Sequence, residues 1–106
     1  MFAHRSFLDY GIPVPGASDY MPGPYEPLMA LQSMVTRKDF DRRIRGPNQR
    51  ISLDQALRIC TMNAAYASFQ ENIKASITAG KPADSDTLAD NPHHRDPEAI
   101  HAHAVA

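Results

Sequence analysis

Five prolines crowd one stretch of this chain: Pro13, Pro15, Pro22, Pro24 and Pro27. A proline has no backbone N–H, so it cannot donate to a sheet ladder, and it fits a helix only in the first turn. The stretch therefore divides into three. Ile12-Pro13-Val14-Pro15-Gly16-Ala17 reads as a short apolar strand, made awkward by its two missing donors, and Tyr20-Met21-Pro22-Gly23-Pro24 reads as a loop. Pro27 suits a first helical position, where its absent N–H would have no partner anyway. Ser18-Asp19 falls between the strand and the loop. In parallel α/β architectures the C-terminal ends of the strands face the active site, so Asp19 is the one residue whose position suggests chemistry. The competing reading is that Ser18 and Asp19 simply start a turn, as Ser and Asp before a Pro-Gly cluster commonly do.

Around this stretch the helical signals are clearer. Phe7, Leu8 and Tyr10 are spaced for a short helix from Arg5 that stops at Gly11. Leu28, Leu31, Gln32, Met34 and Val35 recur at three- and four-residue spacing, which predicts a helix near Glu26 to Lys38 with one apolar stripe. Ser52-Leu53-Asp54-Gln55 is a capping box opening a third helix toward Phe69, lined by Leu53, Ala56, Leu57, Cys60, Ala64 and Ala67. Within it, Thr61 and Asn63 are polar, and the ordinary expectation is that one back-bonds to a carbonyl or meets water. Ile73 to Ile77 is a short strand candidate, and Ala79-Gly80-Lys81-Pro82 is a turn.

With 106 residues there is room for one domain at most. From Gly80 onward there are few large side chains apart from Leu88, Ile100 and Val105, and a core built from the first three quarters alone would be small. The net charge of -1 argues against a general polyanion binder. The basic run from Arg37 to Pro47, with Phe40 inside it, reads as a solvated loop before it reads as a nucleic-acid surface. The opening residues lack a signal-peptide core and nothing later is apolar for long enough to span a membrane, so no membrane partner and a cytoplasmic location are expected. Cys60 allows no internal disulfide and reads as a small buried hydrophobe.

Three blocks in fixed order carry a family resemblance: Leu8-Asp9-Tyr10-Gly11-Ile12-Pro13-Val14 to Ser18-Asp19-Tyr20, then Gln49-Arg50-Ile51-Ser52-Leu53-Asp54-Gln55-Ala56-Leu57 to Thr61-Met62-Asn63-Ala64-Ala65-Tyr66-Ala67, then Gly80-Lys81-Pro82-Ala83-Asp84. Together they resemble the C-terminal end of an amidohydrolase-superfamily enzyme, in the amidohydrolase family 3 branch similar to N-substituted formamide deformylases. The resemblance implies an α/β fold: the terminal βα unit of a TIM-like (β/α)8 barrel over residues 1–70, then a partial return into a small β-sandwich domain over 71–106 with a disordered tail. It implies hydrolysis of C–N bonds in a small amide-type substrate with a divalent metal, commonly zinc. It also implies that Asp19, matching the Asp of the Ser-Asp pair that ends the eighth strand, ligates or approaches that metal and accepts a proton from the attacking water.

Certain positions depart from the family pattern. Ala17 stands where the family usually has Gly, and Ser85-Asp86-Thr87 precede Leu88 where an apolar strand is usual. His101-Ala102-His103 has the spacing of the family's His-X-His pair but lies after the matched blocks, and it reads as coincidence, as does His93-His94. A complete barrel takes about 250 residues. The chain alone is therefore expected to be mostly helical with irregular segments, inactive, and prone to self-association. The alternative is a small helical interaction module whose Leu28 to Val35 stripe is left exposed for a partner.

Overall fold

The structure, a computed structural model, describes residues 2–21 and 25–102; Pro22, Gly23 and Pro24 of the expected loop and His103 of the C-terminal histidine pair lie outside them. Helix α2, Pro27–Thr36, is the element around which the rest is packed. Pro27 occupies its first turn and Arg37 closes it in the left-handed region at φ 59°, its amide donating to the Ser33 carbonyl. Leu31 and Met34 are buried. They meet Ile51, Ala56, Ile59 and Ile100 in one cluster, against which Leu28 and Val35 also pack. The stripe from Leu28 to Val35 is thus covered by this chain's own residues, which corrects the expectation that it stands exposed for a partner: an apolar helix face takes the nearest apolar cover.

Helix α3, Leu53–Cys60, begins as its sequence predicts. The Gln55 amide donates to Ser52 Oγ at 3.2 Å, and the Ser52 amide donates to Gln55 Oε1 at 2.9 Å. Such a cap contributes about 1 kcal/mol. The helix does not run on to Phe69. It breaks at Thr61, whose backbone sits at φ -117° and ψ -86°, and a separate short helix α4 follows at Met62–Ala67. Thr61 Oγ1 donates to the Leu57 carbonyl at 2.8 Å, the back-bond expected of one of the two polar residues. The break turns the buried face: α3 buries Ala56 and Ile59, and α4 buries Asn63 and Ala65 in place of Ala64 and Ala67. Burial raises the pKa of the Cys60 thiol, which packs against the cluster.

Among the described residues there is no strand, and an isolated antiparallel bridge pairs Lys38 with Ile44. The expected strands from Ile12 and from Ile73 to Ile77 are therefore corrected. Pro13 and Pro15 deprive the first of ladder donors. At the second, Ile73 and Lys74 both donate to the Gln70 carbonyl, which makes turns instead. The expected turn at Ala79 to Pro82 is present, with the Lys81 amide on the Thr78 carbonyl and Gly80 at φ 90°. The basic loop is irregular as predicted, and its cations are engaged: Arg45 with Asp39 at 2.9 Å, Arg42 and Lys38 with Glu98. The Arg45 hydrogen bond and the Arg43 amide hold the Asp39 carboxyl below its ordinary value.

Two pieces lie at the margin of the core. Three-ten turns at Pro92–His94 and Pro97–Ala102 carry Ile100 against α2, so the core draws on the tail and not on the first three quarters alone. The His101 amide fixes this turn by donating to Gln32 Oε1 at 3.0 Å. At the other end, helix α1, His4–Asp9, is pinned to the three-ten turn Pro47–Gln49: the Ser6 amide donates to Gln49 Oε1 at 3.1 Å and Gln49 Nε2 to Ser6 Oγ at 2.7 Å.

His4 enters the interior from α1. It is 7% exposed, its Nδ1 has no hydrogen-bond partner, and burial, then the Arg37 guanidinium, lower its pKa below the ordinary 6.5. The folded chain therefore binds fewer protons at His4 than the unfolded chain does. Its share of stability is complete above about pH 6.5 and declines as the pH falls toward the lowered folded value. Thermal melts between pH 7.5 and 5 should show the midpoint falling in the wild type and a flatter profile in His4→Leu; parallel profiles would refute it.

Candidate functional site

Asp19 is exposed at the end of the irregular segment that follows α1. Its φ of 49° lies in the left-handed region, which Asp tolerates better than most residues because its short side chain can bond locally. A segment outside any helix or sheet needs some other anchor, and the chain supplies it from the α3–α4 break. The Ile59 carbonyl, which in an unbroken helix would accept from the Asn63 amide, accepts from the Gly16 amide at 3.2 Å. Asn63, 5% exposed, turns its side chain the same way, and Nδ2 donates to the Val14 carbonyl at 2.9 Å.

Packing reinforces these two bonds. Val14 lies against the core cluster. A Cβ added at Gly16 would stand 2.7 Å from Ile59 Cγ2 and 3.0 Å from Met34 Cε, so a side chain there has no room. The sequence had marked Asn63 only as a polar residue within the third helix, and that polarity was the available signal of a residue with a specific partner. Gly16 carried no signal beyond its place in the Pro-Gly stretch.

The donors available for a metal are few. A catalytic zinc takes about three protein ligands. Among the described residues no group of three or more His, Cys, Asp or Glu side chains is close enough to hold an ion. Asp19 is one carboxylate standing apart, and His93 is instead near Asp54, with Nε2 3.3 Å from Oδ1. These residues by themselves do not fit a zinc site. A cavity of about 620 Å³ lies elsewhere, lined by residues that include Met29, Phe40, Lys38, Arg42 and Glu98, and Asp19 does not line it.

The amidohydrolase family's sequence profile matches residues 1–106, and the chain belongs to that family. It is 37% identical over 83 residues to an N-substituted formamide deformylase of Arthrobacter pascens, a match covering 78% of this chain and 15% of the relative. It is 30% identical over 104 residues to the protein named amidohydrolase YtcJ of Bacillus subtilis (strain 168), covering 94% of this chain and 20% of the relative. The chain thus spans a fifth or less of the length of these relatives. No solved structure matches it. Among the described residues no helix is long and apolar enough to cross a membrane.

Proposed function

We propose that this chain is the C-terminal portion of a cytoplasmic amidohydrolase that cleaves C–N bonds other than peptide bonds in small amide- or formamide-type substrates. Residues 1–70 form the end of its barrel and residues 71–106 a partial return toward a small β domain. The match of the family profile to the whole chain carries the reading, and the name of the Arthrobacter relative supports the substrate class. Asp19 is the proposed catalytic carboxylate. It accepts a proton from the attacking water, and it offers one donor toward a divalent metal, zinc by resemblance, whose remaining ligands the described residues do not supply.

The chain by itself is inactive on this reading, because one carboxylate does not make a metal centre. It also self-associates, since Tyr10, Met21, Phe40, Phe69 and Ile77 stand exposed. Two assays test it. The isolated chain, with zinc added, should leave an N-substituted formamide unhydrolysed, and turnover by the isolated chain would overturn the claim of incompleteness. Substituting the chain for the segment it matches in the Arthrobacter deformylase should preserve measurable turnover; a folded chimaera without turnover would overturn the hydrolase reading.

A further inference from the structure

We propose that Asn63 is the positioning residue for Asp19, acting through the backbone from Val14 to Gly16; this rests on the reading of Asp19 as the reacting carboxylate. The prolines at 13 and 15 leave this segment without the ladder donors that would anchor a strand. What fixes it is a clamp made at one place in the fold, the break at Thr61. The break frees the Ile59 carbonyl to accept from Gly16, and it turns the buried Asn63 amide to the Val14 carbonyl. Ser18 and Asp19 lie two and three residues past Gly16, the last residue of the clamp, and are exposed. No other hydrogen bond from α3 or α4 to residues 12–19 is made than these two.

An Asn only 5% exposed is costly unless its amide is used, and the use it finds is a carbonyl two residues before Gly16. Losing that donor leaves the Val14 carbonyl without the partner that holds it, while α2 and the α3 cap keep all their own bonds. The consequence is local: the loop carrying the carboxylate loosens while the helices stay.

The test is made on the full chain labelled with 15N. In Asn63→Leu, which keeps the branched shape and removes the donor, exchange of the Gly16 amide should rise about tenfold, the effect of one neutral hydrogen bond. The heteronuclear NOE at Ser18 and Asp19 should fall, with the amide shifts of α2 and α3 retained. Asn63→Asp supplies a second measure should the leucine variant fail to fold. Its ionised carboxylate cannot donate, whereas its protonated form can, and burial raises the pH at which that form appears. Order at Ser18 and Asp19 should then return on acidification in Asn63→Asp, measured against the wild type at each pH.

Ser18 and Asp19 dynamics indistinguishable from wild type in a folded variant would overturn the proposal. In the deformylase chimaera, Asn63→Leu should lower kcat with KM little changed. If the parent chimaera has no turnover, the hydrolase reading fails, while the amide measurements still decide the clamp.

Discussion

Ile59→Ala should remove most of the margin by which this chain is folded. Ile59 has no exposed surface, touches the buried cluster, and its Cγ2 fills the space over Gly16. Truncating a buried Ile to Ala costs about 2–5 kcal/mol, against a total near 5–15 kcal/mol for a typical domain. A chain whose buried cluster has six members among the described residues is placed toward the weak end of that range. Urea denaturation should show the midpoint falling by a large fraction, and an unchanged midpoint would mean that the cluster does not hold the fold. The same site predicts a coupling. Gly16→Ala should destabilise the wild type, where the new Cβ meets Ile59 Cγ2 at 2.7 Å, and should cost much less in the Ile59→Ala background.

Asp19→Asn in the deformylase chimaera should lower kcat by about 10²–10⁴-fold, the range for a positioned general base. An amide cannot take the proton from water, yet it has nearly the same shape, and Asn tolerates the left-handed backbone that Asp19 adopts at φ 49°. Melting curves should therefore coincide. Steady-state kinetics and thermal melts on both proteins decide it: retention of turnover within a few-fold would remove Asp19 from the chemistry.

The parts of the fold that sequence disclosed are those written in local chemistry. The Ser52 to Gln55 box is four residues that satisfy each other's amides, and Pro27 with the spaced Leu31 and Met34 needs nothing distant to make a helix. The strands were misread because an extended backbone becomes a strand only with a neighbour, and neither Ile12 nor Ile73 finds one among the described residues. Thr61 was recognised as polar, but a break depends on what the freed groups can reach, here Gly16 and Val14. Ile100 was noted among the tail's few apolar residues but given no place in the core, because a single apolar residue in a polar tail has no periodicity to reveal its face. Asp19 was legible as a position; the fold adds the anchoring of the segment before it.

The placement of Ile100 also bears on how the polypeptide emerges from a ribosome. Synthesis proceeds from the N-terminus at about 5–20 residues per second. Every other member of the buried cluster is made before Ile100, which packs over α2. Until the turn Pro97–Ala102 clears the exit tunnel, Leu31 and Met34 lack that cover, and the nascent chain presents part of its apolar helix face to solvent. Vectorial folding thus leaves α2 without part of its cover until Ile100, the last buried residue among the described ones, has been made.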